Sequence, residues 1–204
     1  MTHADDRLDT MLAKAEIAEL LLTERMARDE ADWERMGACF HPDSHLDLSW
    51  FSGSGAEFVA ASRRAYATGN RNLHLVSAPT IRLHGARAVA LANLCIVIPI
   101  TLHGVEAVLS AYCRLHEHFA RHDQRWGMVS MTVVYLWGAL VPRDPAQRID
   151  LDAARLARFR KSYALLAYVE EERGGTINPD LPGIDRPETI DAVRARDDAW
   201  LTAS

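Results

Sequence analysis

The sequence predicts an α+β fold in which N-terminal helices pack on a curved antiparallel sheet, followed by a helical C-terminal extension. Three observations predict it. Helical apolar spacing and cap signals occupy residues 6–69. Residues 72–141 are rich in Val, Ile, Leu and aromatics and are cut by His-Gly and His-Asp pairs into four runs. After Pro142 helical spacing returns. Helices first and strands afterwards is α+β order, not the alternation of βαβ units.

Each element has its own signal. Leu8, Met11, Ala15, Ala18, Leu22 and Met26 recur at helical spacing and predict an amphipathic helix over residues 6–28. Asp32 reads as the N-cap of a short helix over residues 33–39, which His41-Pro42-Asp43 ends. Residues 46–51 suit a short strand. Ser54-Gly55-Ala56-Glu57 has the capping-box pattern ahead of Phe58, Ala61 and Ala65, with Gly69 as the stop. Four strands are predicted over residues 72–83, 87–102, 106–121 and 125–141, turning at His84-Gly85, His103-Gly104 and His122-Asp123. Leu151, Ala154, Leu156, Phe159, Tyr163, Leu166 and Val169 predict one helix ending near Gly174-Gly175. A Pro/Gly loop over residues 178–187 leads to a last short helix ending at Trp200.

The organisation expected is a domain over residues 6–142 and an extension over 143–204. The stripe from Leu151 to Val169 needs a surface, either its own sheet or a neighbouring subunit. A homo-oligomer, dimer or trimer, is expected.

Composition excludes several classes. With 204 residues, 49% hydrophobic and 25% charged, the chain has ordinary globular usage. A net charge of −5 argues against nucleic acid or an anionic membrane as partner. Cys39, Cys95 and Cys113 are widely spaced with no CxxC, so a disulfide framework is not expected and a cytoplasmic setting fits. The start, Met1-Thr2-His3-Ala4-Asp5-Asp6, lacks the basic-then-apolar order of a signal peptide. The apolar run 86–102 contains Arg87, Asn93 and Pro99 and is too short to span a bilayer.

Two residues carry possible chemistry. Asp29 falls three after Met26 and seven after Leu22, on the predicted apolar stripe, where a carboxylate must be paired or line a wet cavity. The alternative is that the helix frays before it and leaves it solvated. His74 shares a strand face with Val76, opposite Leu73 and Leu75, but period two does not say which face meets a pocket. His116-Glu117-His118, and His41 with His45, match no standard metal spacing, so no metal is expected. GxSxG, GxGxxG and Walker A patterns are absent.

Ala15-Glu16-Ile17-Ala18-Glu19-Leu20, Ala27-Arg28-Asp29-Glu30-Ala31-Asp32-Trp33 and Cys39-Phe40-His41-Pro42-Asp43 together resemble the opening of SnoaL-like proteins. Asn72-Leu73-His74 and Arg125-Trp126 resemble the same class, and the likeness spans residues 8–140. It implies the cone-shaped NTF2-like fold. Members that look similar include scytalone dehydratases, hexachlorocyclohexane dehydrochlorinases and, more loosely, diarylpropane lyases.

In the first two, the positions matching Asp29 and His74 form a catalytic dyad. The resemblance therefore implies a lyase needing no cofactor, acting on a hydrophobic, aromatic small molecule, in a setting such as aromatic catabolism. His74 would be the general base and Asp29 its orienter. Two cationic positions of the dehydrochlorinase pattern fall on Glu24 and Met131, which argues against chloride loss. Trp50, Phe51, Tyr112, Arg114 and Met131 are the expected pocket residues, and Met131, Val133, Tyr135 and Trp137 share one face of the last strand by simple alternation. The alternatives are an isomerase or cyclase on the same scaffold, or a non-catalytic small subunit like the β subunits of ring-hydroxylating dioxygenases.

Overall fold

The computed structural model describes residues 3–69 and 71–203; Met1 and Thr2 of the acidic start lie outside them. In chain order come α1 (His3–Asp29), α2 (Trp33–Gly37), β1 (His45–Asp47), β2 (Ser52–Ser54), α3 (Gly55–Ala67), β3 (Leu73–Val76), β4 (Thr80–His84), β5 (Arg87–Leu102), β6 (Val105–His122) and β7 (Arg125–Pro142). The extension contributes α4 (Ala153–Leu156), α5 (Ala164–Glu172) and α6 (Pro187–Thr202). β1 and β2 form a separate hairpin, and β3 and β4 pair with the same long β5, which is followed by β6 and β7. Every pairing between these strands is antiparallel.

The caps behave as their chemistry requires. Asp32 accepts from the Arg35 N–H at 3.1 Å. Ser54 Oγ accepts from the Glu57 N–H at 3.3 Å while Glu57 returns the bond to the Ser54 N–H at 2.8 Å. Each such cap stabilises its helix by ~1 kcal/mol. The β5–β6 and β6–β7 hairpins turn through His103-Gly104 and Asp123-Gln124, all at positive φ, the geometry whose twist matches that of paired strands.

Two of the sheet's bulges set which side chains face inward near the site. The expected strand over 72–83 breaks because Ser77, Ala78 and Pro79 stand opposite only Ala92 and Asn93. Proline has no N–H for a ladder bond, and Ser77 closes the gap by accepting from the Asn93 N–H at 3.0 Å. In β7, Trp137 pairs with Tyr112 but Tyr135 pairs with Cys113, so Leu136 is the extra residue. Alternation reverses there. Met131, Val133 and Tyr135 face the concave side, while Trp137 joins Tyr112 on the outer side, their rings stacked at 5.5 Å.

α1 lies in the concavity, but on a different face from the one its spacing suggested. Ala13, Ile17, Leu21 and Ala27 are buried, whereas Leu8, Met11, Leu22 and Met26 are exposed. The buried stripe continues into Glu24 and Arg25, so its inner end is charged and does not read as core.

The extension also departs from one long helix. Residues 157–163 run as turns because their side chains are drawn to the 178–187 loop. Arg160 pairs with Asp185 at 2.6 Å, Ser162 donates to Asp185 at 2.7 Å, and Tyr163 donates to the Pro179 carbonyl at 2.7 Å. α5 buries Leu166, Ala167, Tyr168 and Val169 against β6 and β7 of its own chain. α6 covers one end of the outer sheet face. His116 and His118 bond the Asp197 carboxylate there at 2.6 and 2.9 Å, and Trp200 stacks on His118.

Glu117, between those histidines in sequence, points the other way into the core, and neither carboxyl oxygen meets a partner among the described residues. Burial pushes its pKa up to about 8. Between the ordinary carboxylate value and pH ~8 the folded chain therefore holds a proton that the unfolded chain has released. Stability is lost as pH rises through that window, with a slope approaching ~1.4 kcal/mol per pH unit from this one group. Urea titrations of wild type and Glu117→Gln at pH 5 and pH 8 should show the stability difference moving in favour of the variant at the higher pH. An unchanged difference would mean that Glu117 is not protonated in the fold.

Candidate active site

Asp29 is the last residue of α1, and the chain reverses immediately after it through Ala31 at positive φ, with Asp32 N–H returning to the Ala27 carbonyl at 2.8 Å. His74 sits in β3 directly opposite Ile96 of β5, which holds its ring on the concave face. The two meet twice. Asp29 Oδ1 lies 2.5 Å from His74 Nδ1, and Asp29 Oδ2 accepts from the His74 backbone N–H at 2.7 Å. A carboxylate at a helix C-terminus opposes the helix dipole, and these two donors compensate it. Only 3% of the His74 side chain is exposed.

The electrostatics select one protonation state. Burial opposes the Asp29 carboxylate, but the bonds from the His74 ring and backbone outweigh it and lower its pKa. Burial lowers His74 to about 4 against the opposing pull of Asp29, and the guanidinium groups of Arg28 and Arg25 add to the depression. At neutral pH the pair is thus carboxylate plus neutral imidazole. Nδ1–H donates to Asp29, which leaves the Nε2 lone pair free.

Nε2 faces Arg28, whose Nη1 lies 3.5 Å away, a long contact. The guanidinium is held over the rings of Trp50 and Phe58, at 5.5 and 4.9 Å from their centroids. Burial, and then Arg25, lower its pKa to about 10, so it stays charged at neutral pH.

A cavity of about 260 Å³ opens beside these groups. Leu94, Ile96, Ile98, Met131, Val133 and Tyr135 from the sheet line it, with Trp50 and Leu48 from the hairpin region. Leu166, Glu170, Arg173 and Ile177 show that the extension completes the wall. Its polar groups are few: Arg25, Arg28, Ser49, Asn72 and His74 besides the Glu170 and Arg173 just named. The buried Asn72 Oδ1 meets no donor among the described residues. Apolar walls with sparse polar groups are the usual composition of a small-molecule site. Among the described residues no three His, Cys, Asp or Glu side chains converge as a metal site.

Of the expected pocket residues, Trp50 and Met131 line the cavity. Phe51 stands outside the lining, packed on Phe58 at 5.2 Å between centroids. Tyr112 and Arg114 lie on the opposite, outer face of the sheet beside Trp137, because β6 alternation sends Cys113 and Leu115 inward. Arg25, Arg28 and Asn72 were not anticipated. Leu21, Arg25 and Arg28 fall at helical spacing on one face, and choosing Ile17 and Leu21 as the core stripe would have found both arginines. Glu24 is buried against Arg25, and Arg25 in turn reaches Met131 Sδ at 3.4 Å. Positive charge is therefore present in the pocket after all, supplied by neighbours of the two positions that lack it.

The SnoaL-like domain model matches residues 9–132, from α1 into β7. Pea pathogenicity protein 2 of Fusarium vanettenii is 29% identical over 161 residues, covering 76% of this chain and 69% of its own. Among solved structures, a Type 2 hexachlorocyclohexane dehydrochlorinase (LinA) superposes with a TM-score of 0.57 at 11% identity, covering 72% of this chain and 98% of that one. A candidate scytalone dehydratase from Novosphingobium aromaticivorans gives 0.54 at 16% identity, covering 72% and 99%. At such identities these two likenesses establish the NTF2-like fold alone. With the family model spanning most of the helices and sheet that hold the pocket, the chain belongs to the SnoaL-like domain family.

Proposed function

We propose that this chain is a lyase that needs no cofactor and acts on a hydrophobic, aromatic small molecule by general acid/base catalysis. The observation that carries the reading is the double contact between Asp29 and His74 at the edge of an apolar cavity. Asp29 fixes the tautomer, so Nε2 is the atom that takes a proton from the substrate. The electrons of the broken C–H bond form the new double bond, the leaving group departs with its bonding pair, and the imidazolium returns its proton to that group or to solvent. Alternatively, Nε2 takes a hydroxyl proton, the O–H electrons form the aldehyde C=O as the C–C bond breaks, and the carbon that keeps the C–C pair is protonated by the imidazolium. Asp29 stabilises the imidazolium in either case. A pocket formed within one chain, with the dyad in contact, favours an enzyme over a non-catalytic small subunit.

Turnover should survive exhaustive chelation and require no added nicotinamide or flavin. His74→Ala should lower kcat by roughly 10²–10⁴-fold with circular dichroism unchanged. Near-normal turnover of that variant would remove His74 from the mechanism.

The pH profile is a separate check. Because burial and the adjacent arginines depress His74, the acid limb of kcat/KM should fall near pH 4 rather than at the ordinary imidazole value of about 6.5. Arg28→Met should move that limb upward. A wild-type limb near 6.5 would contradict the electrostatic reading of the site.

We also propose that the chain forms a homo-oligomer through the uncovered part of its outer sheet face, where Leu75, Tyr112 and Trp137 are exposed. The stripe on α5 is not the surface for this, since its own sheet buries it. Light scattering should report a dimer or trimer for wild type and monomer for Trp137→Glu. A wild-type monomer at micromolar concentration would overturn the assembly.

A further inference from the structure

The arginines at the cavity are not all paired, and the one without a partner lies beside the base. Arg25 is paired with Glu24, and Arg173 with Glu170 at 3.8 Å. Among the described residues Arg28 makes no ion pair within contact distance. The acid beside it in sequence, Asp29, has both oxygens engaged by His74. The guanidinium carbon lies 5.5 and 4.9 Å from the Trp50 and Phe58 ring centroids, contacts that attract its charge but supply no oxygen or nitrogen acceptor. Of its N–H groups one makes the long contact to His74 Nε2, and the others meet no acceptor among the described residues. A charged fork held rigidly at the wall of an apolar cavity, with its edge unsatisfied, is a costly arrangement unless a ligand completes it.

We propose that the ligand of this pocket carries a carboxylate on a ring-sized apolar body, and that Arg28 receives the carboxylate. The proposal rests on the cavity being the substrate site, and it adds a ligand class that the base assignment does not require. A carboxylate is preferred to a phosphate because a single guanidinium is left to receive the ligand, whereas a phosphate would bring more than one negative charge. A planar carboxylate also matches the guanidinium fork edge to edge. The cavity, at about 260 Å³, lies just below the ~300–1,000 Å³ typical of small-molecule sites and suits one or two rings.

Seating an anion on Arg28 has a second consequence for the base. The bound carboxylate draws the guanidinium edge away from Nε2 and offsets the positive field that disfavours protonated His74. In the free protein His74 is a weak base; with the ligand in place it becomes a stronger one. The ligand's own charge thereby readies the group that acts on it.

Two isosteric probes separate charge from shape: 2-naphthoate and 2-naphthamide, titrated calorimetrically into the full chain at neutral pH. Wild type should bind the naphthoate at least about tenfold more tightly than the amide, and Arg28→Met should bring the two within about twofold of one another. In wild type, saturation with naphthoate should raise the His74 titration midpoint, followed by ¹⁵N NMR of the imidazole, while the amide should leave it in place. This last comparison needs no variant and holds even if Arg28→Met fails to fold. Equal binding of the two probes, binding of neither, a preference that survives Arg28→Met, or an unmoved His74 midpoint would each overturn the proposal. Because these are binding readouts, they do not depend on turnover by His74→Ala, and failure of the base assignment remains a distinct result.

Discussion

The carboxylate at the end of α1 grips β3 at two points, ring and backbone, and the geometry of the pocket depends on that grip. It ties the helix inside the concavity to the edge of the sheet and sets the orientation of the imidazole in the same contact. An edge strand of four residues has few ladder bonds of its own, so a charge-assisted bond to its backbone counts for much of its positioning. The bulge at Ser77–Pro79 then lets the chain continue along β5 in the opposite alternation without disturbing His74. Loss of the Asp29 carboxylate would therefore loosen both the base and the strand that carries it.

Charge is the second organising feature. The inner end of α1 carries Glu24, Arg25, Arg28 and Asp29 within two turns, and burial affects each differently. Glu24 pairs with Arg25 through one carboxyl oxygen, Asp29 is satisfied by His74, and Arg28 is left with aromatic faces and a ring nitrogen. Behind them Glu117 is held neutral by the same lack of solvent that depresses His74. The polar groups that look out of place in a core are thus arranged around one cavity, and the apolar sheet opposite them supplies the shape.

Much of the fold was legible from the sequence because its signals are local. The capping box at Ser54-Glu57, the Asp32 cap and the three hairpin turns each involve a few adjacent residues with fixed backbone demands. What was not legible depends on partners distant in the chain. The extra residue Leu136 reverses the face of Trp137, and nothing in the run 125–141 marks it. The turns at 157–163 exist because Asp185 and Pro179 lie across from them. Asp29 and His74 were found through family likeness, while the periodicity argument put Asp29 on the stripe of Leu22 and Met26, which is exposed. A helix face ending in buried charge is misread by any rule that equates core with apolar. That error hid Arg25 and Arg28 as well.

The central claim is that burial and Arg28 hold His74 neutral while Asp29 fixes its tautomer, with Nδ1 protonated and Nε2 toward the pocket. Nitrogen-15 NMR of the imidazole of the free protein reads both atoms directly. The account predicts a protonated Nδ1 and an unprotonated Nε2 at pH 7, persisting below the ordinary imidazole value before the ring takes its second proton. An imidazolium at pH 7, or the opposite tautomer with the proton on Nε2, would contradict it.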